Sequence, residues 1–173
     1  MRILAVIGVL AILIALGAAV FFFGGFYSVA GTAEDPAIVA SALIKIRQAS
    51  ISHHATDVPA MSLDDPAVVQ AGARAFATRG CVNCHGGPGV KWAKFSEGLS
   101  PSPPDLKEVV GSLEARELFW VVKNGINMTG MPSFQLAGAK DDEIWSIAAF
   151  VKKLPAVSEA DYKSWTAGAE PKK

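Results

Sequence analysis

The chain has 173 residues, with 16 Lys and Arg balanced by 16 Asp and Glu, and is 51% hydrophobic. That length holds one ordinary domain plus an appendage, and zero net charge argues against nucleic acid or any strongly charged partner. The apolar excess sits at the front of the chain rather than being spread along it.

Residues 3–27, ILAVIGVLAILIALGAAVFFFGGFY, are all apolar, Gly or Tyr, and no charge occurs between Arg2 and Glu34. A helix of that length spans ~37 Å at ~1.5 Å per residue, enough to cross a bilayer with some tilt. A cleaved signal peptide has an apolar core of only about 7–15 residues. Length therefore favours a permanent anchor over residues 1–33, although SVAGTA at 28–33 has the small residues of a cleavage site. Arg2 is the only charge ahead of the segment, so the positive-inside rule puts the N-terminus in the cytoplasm and residues 28 onward outside. With Arg2 set aside, 15 basic residues face all 16 acidic ones, so the exported part is also nearly neutral.

Next comes a helical extension, residues 34–64. Asp35 as N-cap and Pro36 at the first helical position predict a helix over about 36–52, with Val39, Leu43, Ile46 and Ser50/Ile51 near helical spacing. TDVPAMSLDD, 56–65, is a connector. Asp65-Pro66 opens a second helix that Gly80 closes. Residues 86–105 form a Gly- and Pro-rich loop, too long for a simple connection, and such loops usually line or cover something. Ser112 is the expected cap of LEARELFWVVKN, which stops at Gly125; Asp141 is the expected cap of DEIWSIAAFVKKL, which ends before Pro155. The polar tail, 156–173, is expected to fray. No β pattern of useful length and no repeat occurs. The expectation is an all-α chain: one transmembrane helix, then a small helical domain over 65–155 built about a non-protein core.

Residues 81–85 read Cys-Val-Asn-Cys-His and contain the chain's only two cysteines. This C-x-x-C-H spacing marks covalent attachment of one c-type haem. Two thiols about one helical turn apart can add to the two haem vinyl groups, and the next residue turns its imidazole to the iron. Three other readings use the same residues: a redox dithiol, half a zinc site completed from His53, His54 or His85, or a plain disulfide. Haem c is attached outside the cytoplasm, in agreement with the topology read from Arg2. With His85 on one side of the iron, the other axial position needs a ligand or stays open. Downstream there is no histidine, only Met128 and Met131 in GINMTGMPSF. Gly130 lets the backbone approach closely and Pro132 pushes Met131 toward an extended conformation. Met128 has neither neighbour. Met131 is the expected axial ligand, and Met128 a packing residue against the haem face.

Here residues about 65–155 resemble a class I c-type cytochrome. The matching segments run in family order: Gly72-x-x-x-Phe76, then Cys81-Val-Asn-Cys84-His85, then Pro104-Asp105-Leu106 in place of the family's Pro-Asn-Leu, then Thr129-Gly130-Met131-Pro132, and finally Trp145 and Phe150 on the last helix. The resemblance implies that the Pro104 carbonyl accepts the His85 Nδ1 hydrogen. It also implies that Gly72 lets the first and last helices of the domain approach closely. The anchor plus IRQASISHHATDVP is similar to an extension on membrane-attached monohaem cytochromes c of bacterial electron-transport chains.

The expected function is one-electron transfer, not catalysis. The carrier would sit on the periplasmic face of a bacterial inner membrane, held by residues 3–27. Its partners would be membrane redox complexes of a respiratory or photosynthetic chain: a dehydrogenase or quinol oxidase as donor, a terminal oxidase or other acceptor. The alternative is a haem enzyme or a gas- or peroxide-binding subunit with an open distal site, against which stands the lack of an obvious distal acid–base residue. His53 and His54 are read as the polar end of a helix. Trp92 and Trp120 either contact the haem edge or simply pack. Lys91, Lys94 and Lys107 are interleaved with Glu97, Asp105 and Glu108, which reads as a mixed solvated surface rather than a docking patch.

Overall fold

The computed structural model describes residues 2–169, leaving Met1 and the last four residues of the expected tail outside the described part. The chain divides into two compact units, Met1–Asp35 and Pro36–Lys173. The first contains α1, Arg2–Phe23, with no residue buried within the chain. It is long and apolar enough to cross a membrane and fits a single-pass anchor. The helix stops short of the full apolar run because Gly24 and Gly25 follow it, Gly25 in the left-handed region at φ 79°.

The second unit is entirely helical among the described residues, with a single isolated bridge between Gly87 and Val90. Its helices are α2 (Ala37–His54), α3 (Pro66–Thr78), α4 (Cys81–His85), α5 (Leu106–Val109), α6 (Ala115–Asn124), α7 (Asp141–Lys153) and α8 (Glu159–Thr166). Short 3-10 turns lie at Lys94–Gly98, Val110–Ser112 and Leu154–Ala156.

Several caps differ from expectation. Asp65 does cap α3, accepting from the Ala67 N–H at 2.8 Å. Pro36 rather than Asp35 precedes α2, and Asp35 accepts the Tyr27 hydroxyl instead. α6 begins after Glu114, not Ser112. Glu114 and Glu117 form a reciprocal capping box, while the Ser112 hydroxyl donates to the Val109 carbonyl at 2.8 Å. Lys140 precedes α7, so Asp141 lies inside its first turn, where its carboxylate favours the helix N-terminus and pairs with Lys123 at 2.9 Å. The tail does not simply fray. Ser158 caps α8, accepting from the Asp161 N–H at 3.0 Å, and Tyr162 is buried against Phe150, ring centroids 5.6 Å apart.

The core sits where α3 crosses α7. Gly72 has no side chain, and the backbone of α7 occupies the space one would need: a Cβ there would stand 1.8 Å from the Ser146 carbonyl oxygen. That approach brings Phe76 onto Phe150, centroids 5.3 Å apart. On the other side of α7, Trp145 stacks on Phe119 of α6 at 4.0 Å and 11°. Phe76, Phe119, Phe150, Ile144 and Ile147 are fully buried.

Replacing Gly72 by Ala must move one helix off the other, because the clash is with backbone and no rotamer relieves it. We expect Gly72→Ala to lower the unfolding free energy by about 3 kcal/mol or more. Chemical denaturation followed by far-ultraviolet circular dichroism measures it.

Candidate haem site

The CVNCH residues occupy a helical turn of their own. α3 ends at Thr78, and Gly80 adopts φ 79°, a left-handed conformation open to glycine, before α4 begins. Cys81 and Cys84 are both free thiols, Cys81 buried and Cys84 half-buried. At i and i+3 they lie on one face, one turn apart. Burial pushes the Cys81 thiol up to about 12. Burial thus disfavours a free thiolate charge at Cys81. Addition of S–H across a vinyl group leaves a neutral thioether and no buried charge. Among the described residues no three His, Cys, Asp or Glu side chains gather as a metal site would require. No strand flanks the motif as the redox-dithiol pattern demands.

His85 ends α4. Its Nδ1–H donates to the Pro104 carbonyl at 2.9 Å, the bond that the resemblance implied. With the proton held on Nδ1, Nε2 keeps its lone pair for a metal. Burial holds the imidazole below its ordinary value, with the Pro104 bond and the nearby Asp105 charge pulling the other way. The neutral form, the one that binds metal, is thus favoured. Pro104 is placed by its successor: Asp105 caps α5, accepting from the Lys107 N–H at 2.8 Å. Asn and Asp are equivalent as N-caps, which gives the Pro-Asp-Leu departure a physical reading.

The methionine loop folds back on the end of α6. Gly125 stands at φ 71°, and a Cβ on it would lie 2.7 Å from the Met131 carbonyl oxygen and the Ser133 nitrogen. The Ile126 N–H donates to the Met131 carbonyl at 3.1 Å, and the Met131 N–H to the Thr129 hydroxyl at 3.1 Å. Phe134 N–H and the Ser133 hydroxyl close the loop on Val122 and Lys123 carbonyls, at 3.1 and 2.7 Å. Met131 is half-buried and packs on the core. Met128 is 90% exposed and left-handed at φ 58°. Gly130 meets Leu99 of the long loop, whose Cδ1 would lie 2.8 Å from a Cβ on it.

The 86–105 loop therefore serves both candidate ligands: Pro104 orients His85 and Leu99 packs over the Met131 segment. An imidazole with a free Nε2, a half-buried thioether and two thiols one turn apart are a donor set that fits haem c.

The remaining candidates have partners of their own. His54 Nδ1 bonds the Ser50 carbonyl at 2.8 Å within α2, and its ring lies 6.0 Å from Trp120, which accounts for both as packing. His53 is exposed. Trp92 is 49% exposed and lies against Gly86. Lys94 pairs with Glu97 at 2.6 Å on the surface, as a mixed solvated patch would. Sequence reasoning missed Leu99 and Tyr162, and read Gly125 only as the stop of α6, where it stands as C-cap. Tyr162 rests on Gly87 just past His85, its hydroxyl pushed up to about 12 by burial. A serine followed three residues later by an aspartate, at 158 and 161, was the available signal for its helix.

The family described as cytochrome c oxidase, cbb3-type, subunit III matches residues 67–151. No curated protein and no solved structure matches the chain.

A side chain on Gly125 collides with the backbone of the methionine loop and strains a left-handed φ. Gly125→Ala should lower stability by about 2–3 kcal/mol and speed amide exchange at Ile126 and Phe134. Exchange at residues of α3 should change only with the global stability.

Proposed function

We propose, from the family match over residues 67–151, that this segment is a class I c-type cytochrome domain and the chain a membrane-tethered one-electron carrier. One haem c is attached through Cys81 and Cys84 and ligated by His85 and Met131. When bound, the haem supplies reversible Fe(II)/Fe(III) chemistry. The observation that carries the reading is the 2.9 Å bond from His85 Nδ1–H to the Pro104 carbonyl. It fixes the tautomer and ring orientation that a metal-bound imidazole needs.

The chain's own residues have distinct tasks. Cys81 and Cys84 hold the group without adding buried charge. Pro104 keeps the proton on Nδ1 of His85. Met131 presents a soft thioether that favours Fe(II) and needs no deprotonation. Its half-buried place on the core, against the exposed Met128, favours it as the ligand. Ile126, Thr129 and Ser133 hold its segment in place. No acid–base side chain accompanies Met131 in that segment, so electron transfer is favoured over catalysis.

α1 supports anchorage to a membrane, and Arg2 ahead of it supports the haem domain on the periplasmic face of a bacterial inner membrane. A tether raises the effective concentration near other membrane complexes. Electrons would pass from a dehydrogenase or quinol oxidase to a terminal oxidase or other acceptor. The match to an oxidase-subunit family supports a place as an electron-transfer subunit of such a complex.

Met131→Ala should abolish the low-spin His/Met spectrum of the purified holoprotein, whereas Met128→Ala should leave it unchanged. The opposite pattern would move the ligand to Met128. A high-spin ferric iron in the unsubstituted protein at neutral pH would instead favour an open-site haem protein.

A further inference from the structure

The two ends of α2 have different surroundings. The C-terminal end is fixed to the haem domain. Ile51 and Ala55 are buried, the Ser52 hydroxyl donates to Glu117 at 2.5 Å, and His54 lies on Trp120. Further along, Asp57 faces Lys123 at 3.9 Å and Lys153 pairs with Asp64 at 2.5 Å. Over residues 37–49 no side chain is buried among the described residues. Ile38 is 81% exposed, Leu43 52% and Ile46 64%.

These residues form a stripe. Ile38, Val39, Ala42, Leu43, Ile46 and Ala49 recur at three- and four-residue spacing and fall within an arc of about 140° at ~100° per residue. No polar residue of 38–49 falls in that arc. Lys45 lies just beyond one edge and Arg47 just beyond the other. Residues 37–54 contain no carboxylate at all. Ile51, Ser52 and Ala55, which meet the haem domain, lie on a different side of the helix. Single exposed apolar residues need no explanation, but a contiguous stripe with basic edges does.

We infer that α2 lies on the surface of an anionic phospholipid bilayer, with this stripe at the acyl boundary and Lys45 and Arg47 at the headgroup phosphates. The inference rests on the reading of α1 as a membrane anchor. Two features favour lipid as the occupant. Only residues 24–36 separate α1 from α2, a reach of about 45 Å at ~3.5 Å per residue, so an anchored chain keeps α2 close to the bilayer. The charge also fits: an apolar face with Lys and Arg at its margins matches the interface of anionic lipid. Pairing two copies along the stripe would bring their Lys45 and Arg47 together with no carboxylate on either α2 to offset them.

The test uses the full-length holoprotein, whose own cysteines are taken up by haem, in vesicles of phosphatidylglycerol and phosphatidylcholine. Single spin labels are placed through Leu43→Cys, Ile46→Cys, Ser41→Cys or Gln48→Cys. Labels at 43 and 46 should collide with oxygen and be shielded from a water-soluble nickel chelate; labels at 41 and 48 should show the reverse. In pure phosphatidylcholine, or with Lys45→Gln and Arg47→Gln together, positions 43 and 46 should become several-fold more open to nickel. A chain that stays membrane-bound through an alkaline carbonate wash, yet leaves 43 and 46 open to nickel in anionic vesicles, overturns this inference alone. Shielding from both reagents with dipolar broadening between labels overturns it in favour of a second copy. A chain released by carbonate overturns the anchor and this inference together.

Discussion

The approach of α3 to α7 at Gly72 is the constraint on which the other placements depend. Backbone meets backbone there, with the Ser146 carbonyl in the space that any side chain would occupy. α3 so held delivers Gly80 and the CVNCH turn at its end. α7 so held presents Trp145 to Phe119 and thereby seats α6, whose C-terminus launches the methionine loop. Arg79, one step past α3, reinforces the junction. Its guanidinium is bidentate to Glu143 of α7 at 2.9 and 2.7 Å and also donates to the Ala137 carbonyl at 2.9 Å. That pair is mostly buried, so its worth lies in fixing geometry, since desolvation offsets much of the Coulomb gain.

Around this crossing the chain positions its donor groups with short-range devices. Left-handed glycines at 80 and 125 reverse the backbone immediately before Cys81 and before the Met131 segment. The Pro104 carbonyl, set by the Asp105 cap, reaches His85; Leu99, from the same loop, reaches Gly130. A length of chain that forms little regular structure therefore couples two segments 46 positions apart in sequence. Such a span needs a long, irregular chain, in keeping with the Gly and Pro content of residues 86–105.

Much of this was legible in the sequence, for reasons that differ by feature. The long apolar helix α1 follows from composition alone, and α3 from Asp65-Pro66 and Gly80, because these signals are local. The close approach at Gly72 and the Pro104–His85 bond came through family resemblance; no periodicity could have revealed a contact between residues so distant. Cap positions were the weakest reading. Ser112 and Asp141 are good caps by type, yet Glu114 with Glu117 satisfies two backbone donors reciprocally, and Lys140 precedes α7 while Asp141 turns to Lys123. A local reciprocal pair in one case and a tertiary ion pair in the other outweighed cap preference. The tail was misjudged because its polarity hid a single buried side chain, Tyr162, whose stacking on Phe150 is enough to order one short helix.

The extension has a consequence for how such a carrier would work. A flexible linker would let the haem domain sample many orientations, with the tether setting only its concentration near partners. Residues 51–64 are instead held along the domain by buried Ile51 and Ala55, the Ser52–Glu117 bond and the pairs at Asp57 and Asp64. Each exposed pair is worth little by itself. Together with the buried residues they continue α2 into the domain rather than hinging it. Any surface that fixes α2 then also fixes the direction in which the haem domain faces. A carrier built this way suits a partner met repeatedly in one orientation more than a succession of partners met at random.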